Sequence, residues 1–396
     1  MRVENCDLLI IGGGPAGLVA AREAASADRS LSIILLERDD AVGTPVRCGE
    51  GVGSAGLSEF LDPGPSTCLA PWISRRISRV VFRAPDGCEV RVAEGDVGYI
   101  LDRATFEPAL ATQAMNAGAD VRTSVDAVGM KRDGDRWTVA VDASTGRGEI
   151  SARVVIGADG VESTVGRWAG LDTRVRARDM ESCAQYVVDD TTIDADAIVL
   201  HFGDRVAPGG YAWVFPKDTR SANVGLGVLG LRAGGRSAVA WLDDYVARHL
   251  PNASVSSRTV GGVIVAATMT RPFADGLMLC GDAAHMINPL SGGGIVNAMK
   301  SGRLAAETTV AALRSGNTSA RALESYYARW MRLLGDDHVR FYRVKEALAR
   351  FDDAFYDNLA RTVNRIPEKR RTLRRIFGAA LVRHPTLLPV VAKYFA

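Results

Sequence analysis

The sequence predicts an α/β fold, and two apolar runs near the N-terminus carry the prediction. Residues 7–11 form the first run, which breaks directly into a glycine-rich turn and an alanine-rich stretch over residues 15–27. Residues 31–36 form the second run, which is followed at once by an acid, Glu37. Strand, glycine turn, helix, and a second strand closed by an acid are the order of a Rossmann-like unit. We therefore predict a Rossmann-like domain that binds a dinucleotide.

Each glycine of the Gly-x-Gly-x-x-Gly turn has its own task in such a unit. Gly12 permits the tight turn, Gly14 lets the backbone approach the phosphates, and Gly17 lets the helix pack closely on the strand. The helix that starts near Pro15 then faces the pyrophosphate with its positive end. Glu37, about 20 residues beyond Gly17, is placed to accept hydrogen bonds from the ribose hydroxyls of the adenosine.

A second match to the glycine pattern, at residues 225–230, is predicted to be a glycine-bearing strand. The residues that follow it, 231–235, end in two glycines and cannot open a helix as residues 15–27 do. We therefore assign the dinucleotide site to the N-terminal match.

Two later segments repeat the pattern of an apolar strand that runs into an acidic turn. Residues 154–167 form a strand, an acidic turn and a short helix, and residues 276–285 form a strand and a turn that contains Asp282. The glycines at 292–294 then open a helix that we expect to stop at Gly316. Backbone amides at the start of that helix would stabilise negative charge on a bound ring.

In order and spacing, these three segments resemble the FAD-dependent glutathione-reductase-like superfamily, in the branch shared by aromatic hydroxylases, flavin halogenases and geranylgeranyl reductases. The resemblance implies that the dinucleotide is FAD. It also implies that Asp282, the aspartate of the Gly-Asp turn, binds the ribityl and ribose part of FAD.

Composition favours a cytoplasmic enzyme. The chain has 396 residues, 47% of them hydrophobic, and a net charge of +2; the length suffices for two interleaved domains, and nucleic-acid binding by electrostatics is not expected. The longest apolar run is shorter than 18 residues, and the first run is too short for a signal peptide. Six scattered cysteines show neither metal spacing nor a disulfide framework, so we predict no metal site and a reducing compartment.

The C-terminal residues 361–396 are basic and amphipathic, with Glu368 as their one acid. This pattern suits an anionic membrane surface, where each Lys or Arg contributes about 1 kcal/mol. The alternative is a helical cap that packs on the protein body with its arginines in water. The two interpretations are compatible, and the first predicts a peripheral protein on the cytoplasmic face of the membrane.

The landmarks also predict the domain organisation. The FAD-binding domain is discontinuous and consists of residues 1–72, 98–172 and 270–317. Residues 73–97 and 173–269 are rich in alternating strands and are predicted to form a β-sheet substrate domain that covers the flavin. Residues 318–396 are predicted to form a C-terminal helical region.

Three motifs resemble the geranylgeranyl reductase family, of the archaeal digeranylgeranylglycerophospholipid reductase type. The loop at residues 45–52, Pro-Val-Arg-Cys-Gly-Glu-Gly-Val, resembles the family segment that lies against FAD and places a cysteine beside the isoalloxazine ring. Residues 208–216 match P-x-x-Y-x-W-x-F-P, a strand that faces the prenyl chain. Residues 101–107 match the segment whose arginine, here Arg103, contacts FAD, and Ala127 falls by position on the strand that borders the adenine.

The resemblance, which spans residues 7 to about 300, implies two sets of site residues. The catalytic set is Cys48, Tyr211 and Trp213. The FAD-binding set is Gly12, Gly14, Ala16, Gly17, Glu37, Arg47, Cys48, Gly49, Gly51, Arg103, Ala127, Asp282, Gly293, Gly294 and Ile295. The alternatives are that Cys48 is an inert small residue, that Tyr211 and Trp213 belong to an ordinary half-buried strand, and that Arg47 and Glu50 form a solvated pair.

The family resemblance implies reduction of carbon-carbon double bonds in geranylgeranyl chains of a lipid, quinone or pigment. That chemistry needs a hydride donor, a nearby proton source and a dry apolar channel. Reduced FAD would supply the hydride from N5, and Cys48 or a water that it orients would supply the proton, with Tyr211 as the second candidate. No second dinucleotide-binding pattern is visible, so the electrons would come from visiting NADPH, NADH or ferredoxin.

Two other functions are compatible with the same fold. One is a monooxygenase or halogenase; halogenases have a W-x-W-x-I-P run where this chain has Tyr-Ala-Trp-Val-Phe-Pro at residues 211–216, without the first tryptophan. The other is an electron-transfer flavoprotein that acts on a membrane quinone and leaves the prenyl tail unreduced.

Overall fold

A computed structural model provides the structure of the chain and describes residues 3–65, 67–189 and 192–371. Its strands are β1 (Glu4–Ile11), β2 (Ile33–Leu36), β3 (Gly51–Gly53), β4 (Ile73–Arg83), β5 (Glu89–Leu101), β6 (Asp120–Arg122), β7 (Val125–Asp133), β8 (Arg136–Ala143), β9 (Gly146–Gly157), β10 (Met180–Asp189), β11 (Ala197–Phe202), β12 (Tyr211–Pro216), β13 (Ala222–Leu229), β14 (Ser254–Ile264), β15 (Phe273–Ala274) and β16 (Leu277–Leu279). Its α-helices are α1 (Pro15–Ala27), α2 (Ser54–Ser58), α3 (Arg103–Ala117), α4 (Thr164–Trp168), α5 (Ala238–His249), α6 (Ile295–Ser315), α7 (Ala320–Trp330), α8 (Asp336–Leu348) and α9 (Asp353–Asn364). These elements form two compact units.

The first unit comprises Met1–Val46, Arg103–Arg174 and Ala266–Val339. Its central sheet has the order β6-β2-β1-β9-β16, and neighbouring strands in this run are parallel. β15 extends this run from β16, and β7 and β8 form an antiparallel pair that joins the sheet at β9. The order of the parallel strands is that of a Rossmann-like dinucleotide-binding domain, so the predicted fold class is confirmed.

The core of the first unit explains why its strands read as continuous apolar runs. Leu8 to Ile10 of β1 and Val154 to Ile156 of β9 are fully buried, as expected for parallel strands that are covered on both faces. Helix α1 packs against α3 and α6. The contact between α1 and α6 is so close that a Cβ atom on Gly302 would lie 2.1 Å from the carbonyl oxygen of Ala16, so only glycine fits there.

The second unit comprises Arg47–Asp102, Val175–Val265 and Arg340–Ala396, the last of these described as far as residue 371. Its sheet has the order β14-β10-β13-β12-β11-β4-β5-β3, with β11 and β4 parallel and the other neighbours antiparallel. One face of β10, β13 and β12 packs on α5, and Tyr186, Val224 and Leu242 are fully buried in that core. The opposite face of the same three strands carries the candidate site of this unit.

Several predicted elements have the predicted place and type. The strand predicted at residues 225–230 coincides with the end of β13, which stops at Leu229, and the alternating strands predicted within residues 73–97 and 173–269 include β4 and β11. The helix opened by the three glycines is α6, and it ends at Gly316, whose φ of +69° is the left-handed conformation of a helix stop. These predictions are confirmed.

The observed units differ from the predicted domain bounds most clearly at three places. Residues 47–72 and 98–102, which we expected in the FAD-binding domain, pack in the second unit, because β3 pairs with β5 and so joins the second sheet. Residues 318–339 pack in the first unit, where the buried Tyr326 hydroxyl donates to the carbonyl oxygen of Leu279 at 2.8 Å. The helical C-terminal region is therefore divided between the two units.

The described part of the basic C-terminal stretch packs on the second unit. Ala360 and Val363 of α9 are buried against Val90 and Val92. Arg371 donates to the backbone carbonyl of Arg91 at 3.0 Å. This packing agrees with the cap interpretation for residues up to 371, and residues 372–396 lie outside the described part. Among the described helices, none combines the length and the hydropathy that crossing a membrane would require.

Candidate active site

The first unit presents a glycine turn shaped for close contact with a ligand. Gly12 has φ +111°, and a Cβ atom there would lie 2.2 Å from the carbonyl oxygen of Ala158. Gly14 is the N-cap of α1, and a Cβ atom on it would meet no described atom within 4 Å. Gly17 lies against the turn itself, since its Cβ atom would fall 2.0 Å from the carbonyl oxygen of Gly12. The turn thus leaves open space beside Gly14, where a phosphate needs it.

Glu37 stands at the end of β2 and is tied to this turn. One carboxylate oxygen accepts from the backbone N–H of Gly13 at 2.7 Å, and the other accepts from the N–H of Asp39 at 2.9 Å. The carboxylate is thereby fixed beside the glycine turn. Its predicted bond to a ribose remains a prediction.

Two desolvated acids lie at the ends of β9 and β16. Asp159 accepts from the N–H of Val165 at 2.9 Å, while its other oxygen is buried and has no hydrogen-bond partner among the described residues. Burial raises the pKa of Asp159. Burial also raises the pKa of Asp282 to about 6, and the charge of Arg103 opposes this shift. Such groups are kept where a polar ligand completes their hydrogen bonds.

The N-terminus of α6 lies beside Asp282. No side chain caps this end of the helix, and a Cβ atom on Gly294, the N-cap residue, would come within 3.3 Å of an Asp282 carboxylate oxygen. Ile295 is the first residue of the helix, and Gly293 donates its N–H to the Ser291 hydroxyl at 3.2 Å. The predicted residues 282 and 293–295 are thus brought together.

Arg103 and Ala127 lie on other elements of the same unit. Arg103 begins α3, and its Nε donates to the buried carboxylate of Glu107 at 2.5 Å, which fixes the guanidinium. Ala127 is half-buried on β7, opposite Val141 of β8. Their contacts with FAD remain predictions.

In the second unit, the loop around Cys48 is bound to the open face of the sheet. The half-buried Cys48 has a carbonyl oxygen that accepts from Gln185 Nε2 at 2.8 Å, and Gln185 Oε1 in turn accepts from Trp213 Nε1 at 3.1 Å. Cβ atoms on Gly49 and Gly51 would lie 2.9 and 3.1 Å from the Phe215 ring. The structure thus brings predicted residues Cys48, Gly49, Gly51 and Trp213 together, with Gln185 as the link.

Glu50 overturns the solvated-pair interpretation of Arg47 and Glu50. Arg47 is exposed, whereas Glu50 is only 2% exposed. The Glu50 carboxylate accepts from Lys217 Nζ at 2.7 Å and from Asn223 Nδ2 at 2.6 Å. Its backbone N–H donates to Cys48 Sγ at 3.2 Å. The buried Glu50 carboxylate therefore holds the Cys48 loop to the sheet.

Three aromatic rings form a row along β12. Tyr211 and Trp213 have ring centroids 6.0 Å apart, and Trp213 and Phe215 are 6.3 Å apart. The residues between them, Ala212 and Val214, face the buried core on the other side of the sheet. The three rings therefore lie on the face of β12 that is turned away from the buried core, with the alternation of a half-buried strand. The catalytic roles of Tyr211 and Trp213 remain predictions.

Two glycines of β13 make room beside this aromatic row. A Cβ atom on Gly225 would lie 2.4 Å from the Trp213 ring, and one on Gly227 would lie 2.5 Å from a carboxylate oxygen of Glu181 on β10. Burial raises the pKa of the Tyr211 hydroxyl, which makes the phenol a weaker acid. The open sheet face is thus lined by aromatic rings and one carboxyl group.

Several residues of this face belong to no sequence motif, so they could not be predicted as site residues. Gln185, Lys217 and Asn223 bind the Cys48 loop from positions more than a hundred residues further along the chain. The one available signal is on β10, where Glu181 and Gln185 share a face with Cys183 at the two-residue spacing of a strand. Polar groups on alternate positions of a strand are equally typical of a solvent-facing sheet.

Glu181 is expected to reduce stability at high pH. Desolvation by burial raises the pKa of Glu181 to about 7, against the charge of Lys345. Between an unfolded-state pKa of about 4.3 and this value, the folded chain holds the extra proton, so its free energy of unfolding falls as the pH rises. Glu181→Gln should therefore stabilise the protein by up to about 3 kcal/mol at pH 8 and by almost nothing at pH 4.

Urea unfolding of the two proteins at both pH values measures this effect. Glu89→Gln is the matched control, because Arg83 hydrogen-bonds Glu89 and lowers the pKa of that carboxyl. The control should lose stability at pH 8, opposite in sign. Equal stability of the Glu181 variant and the native protein at pH 8 would contradict the assignment of a buried, ionised carboxylate.

Comparisons with known proteins show which family the chain belongs to. The family model described as geranylgeranyl reductase catalytic domain matches residues 179–264, and the lycopene cyclase family model matches residues 7–185. The digeranylgeranylglycerophospholipid reductase of Methanosphaerula palustris is 42% identical over 389 residues, which cover 96% of each chain. The chain belongs to the geranylgeranyl reductase family. It is an FAD-dependent oxidoreductase, as the resemblance predicted.

Further relatives of this geranylgeranyl reductase family member extend the agreement. Digeranylgeranylglycerophospholipid reductase 2 of Methanococcoides burtonii is 38% identical over 90% of this chain and 87% of its own. The crystal structure of a geranylgeranyl bacteriochlorophyll reductase-like protein from Thermoplasma acidophilum superposes with a TM-score of 0.90, at 31% identity and 98% coverage of both chains. A flavin-dependent brominase superposes with a TM-score of 0.69 at 16% identity, which is a likeness of fold alone.

Proposed function

We propose that this reductase saturates carbon-carbon double bonds of geranylgeranyl chains carried on a glycerophospholipid. The names of its relatives support the substrate class. The observation that carries the proposal is the hydrogen-bonded link from the Cys48 loop through Gln185 to Trp213. This link lies on a sheet face where aromatic rings of β12 stand beside glycines of β13. This arrangement combines a protic group with an apolar surface, as alkene reduction requires.

The first unit is the proposed FAD-binding domain. Its residues fit the cofactor by three features: the open space at Gly14, the unpartnered buried oxygen of Asp159, and the uncapped N-terminus of α6. Backbone amides of the glycine turn would hold the pyrophosphate, and Glu37 and Asp282 would bind the two sugar parts. When bound and reduced, FAD supplies a hydride from N5.

The second unit is the proposed substrate domain. Prenyl chains are long and apolar, and the rings of Tyr211, Trp213 and Phe215 offer a continuous apolar surface over which such a chain can lie. The glycines of β13 keep the space beside the rings free of side chains. Tyr211 and Trp213 are thus proposed to position the alkene.

Cys48 is the proposed proton donor. Saturation of one C=C bond adds a hydride to one carbon and a proton to the other. Two electrons and two protons, one of them within the hydride, thus enter the alkene as two new C–H bonds form and the π bond breaks. The proton leaves the Cys48 thiol, or a water that it orients, and the resulting thiolate regains a proton from water. Since the electrons end in the product, a visiting reductant, NADPH, NADH or ferredoxin, must renew them.

Product mass tests the proposed activity against oxygenation. The dithionite-reduced enzyme, kept anaerobic with a digeranylgeranyl glycerophospholipid, should give products heavier by two hydrogens for each double bond reduced, with flavin reoxidised in proportion. A monooxygenase or halogenase would need oxygen and would add an oxygen or a halogen. A requirement for oxygen, or such a product, would exclude the proposed reduction. Flavin reoxidation by a quinone whose tail stays unreduced would favour an electron-transfer flavoprotein.

The basic C-terminal stretch is proposed to bring the enzyme to its lipid substrate at the cytoplasmic face of a membrane. The proposal rests on the sequence of residues 361–396, whose cations attract anionic lipid. Removing residues 372–396 should weaken sedimentation with phosphatidylglycerol vesicles, and added salt should weaken that of the intact protein. Vesicle binding that ignores both changes would leave only a structural role for this stretch.

A further inference from the structure

Glu50 combines two features that are unfavourable for a glutamate. Its backbone has φ +68°, in the left-handed region that glycine adopts most readily. Its side chain is buried, at 2% exposure, which is costly for a carboxylate without partners. Glycine would adopt this backbone conformation without strain. The carboxylate itself must therefore serve a purpose at this point of the loop.

The carboxylate is held by two donors from the sheet. Lys217, directly after β12, donates from Nζ at 2.7 Å, and the fully buried Asn223 of β13 donates from Nδ2 at 2.6 Å. The same Asn223 amide lies 3.3 Å from the carbonyl oxygen of Gly49. The Glu50 carbonyl accepts from the N–H of Leu101 at 2.9 Å. The side chain and the main chain of Glu50 are thus both fixed.

Because Glu50 is fixed in this way, its backbone N–H is held against the sulfur of Cys48. The backbone N–H of Glu50 donates to Cys48 Sγ at 3.2 Å, within the range of bonds to sulfur. A donor to sulfur favours the thiolate over the thiol, because the bond strengthens when the sulfur is charged. The charge of Glu50 alone would oppose the thiolate, but the ammonium of Lys217 balances it.

We propose that Glu50, Lys217 and Asn223 are positioning residues that hold the Glu50 N–H against Cys48 and so make its thiol a stronger acid. The inference deepens the proposed function, since it concerns the residue proposed there as proton donor. A thiol that releases its proton near neutral pH is better matched to proton transfer than an ordinary one. None of the three residues touches the alkene in this scheme; they act through the sulfur.

Alkylation of Cys48 at different pH values tests the proposal without any prenyl substrate. The holoprotein is treated with iodoacetamide, and peptide mass analysis follows the label on Cys48 alone. Two charge-neutral changes loosen the anchor: the double variant Glu50→Gln with Lys217→Met, and Asn223→Ala. Each should move the pH midpoint of alkylation upward by about one unit, which corresponds to the loss of one hydrogen bond to a charged acceptor.

A matched control removes another ion pair of the same unit. Arg83 and Glu89 lie 2.7 Å apart, and the double variant Arg83→Met with Glu89→Gln should leave the midpoint in place. Flavin absorbance and thermal unfolding show that each variant is folded; if the Glu50 and Lys217 variant does not fold, Asn223→Ala decides. A midpoint that stays or falls in the folded anchor variants overturns the proposal. Because no lipid is used, failure of the proposed activity would appear separately, in the product masses.

Discussion

Replacing Cys48 with alanine is expected to lower the rate of prenyl reduction by about 100-fold or more, the usual contribution of a positioned acid. FAD content should stay at the native level, because the proposed FAD contacts other than the Cys48 loop lie in the first unit. Reduction of the bound flavin by dithionite should also be unchanged. The loss would therefore fall on the step in which the alkene receives its proton.

Single-turnover kinetics separate these steps. Flavin reduction and the reoxidation that follows lipid addition are recorded on native protein, Cys48→Ala and Cys48→Ser. Serine keeps an acceptor for the Glu50 N–H but is a far weaker acid than cysteine, so it should fail like alanine. Cys68→Ala, an exposed cysteine elsewhere in the second unit, is the matched control and should react like native protein. Native reoxidation rates in Cys48→Ala would rule out the acid role and direct attention to Glu181.

The fold of the first unit could be predicted because its information is local. The glycines of the first turn, the acid after β2 and the two later strand-turn segments each lie within short stretches of sequence, and their order fixes the parallel sheet. Asp282 and Gly294 come together because the end of β16 at Leu279 and the start of α6 at Ile295 belong to one short stretch of the chain. Local chemistry and chain order were therefore sufficient to predict the fold of the first unit.

The second unit was less predictable because its contacts join distant segments. The segment with Cys48 follows the first Rossmann strands along the chain, which suggested a place in the same domain. Pairing of β3 with β5 instead puts it on the other sheet. The alternation of side chains along a strand shows which residues share a face, but it does not show which strands are neighbours. The contacts of Glu50 with Lys217 and Asn223 could therefore not be predicted from the sequence. The motif resemblance predicted Cys48, Tyr211 and Trp213 as site residues, and only the structure shows that Gln185, Lys217 and Asn223 contact the Cys48 loop.

Replacing Gly17 with alanine is expected to abolish FAD binding. The added Cβ atom would lie 2.0 Å from the carbonyl oxygen of Gly12 and 3.2 Å from Cγ2 of Ile10. Backbone cannot yield as a flexible side chain does, so the start of α1 must move away from the turn. That displacement separates the helix N-terminus from the position of the pyrophosphate, and the amide donors no longer converge there. We expect purified Gly17→Ala protein to lack the yellow colour of bound flavin.

Gly129→Ala provides the matched control for this change. Gly129 lies on β7 in the same unit, and the nearest atom that its Cβ would meet is 4.0 Å away, an ordinary contact. The control should retain FAD, which shows that a glycine-to-alanine change in this unit is tolerated where space exists. Titration of both apoproteins with FAD, followed by flavin fluorescence, measures the difference, and thermal unfolding shows whether Gly17→Ala is folded. A folded Gly17→Ala protein with native FAD affinity would mean that the pyrophosphate is bound elsewhere in the molecule, and the assignment of the N-terminal turn would have to be abandoned.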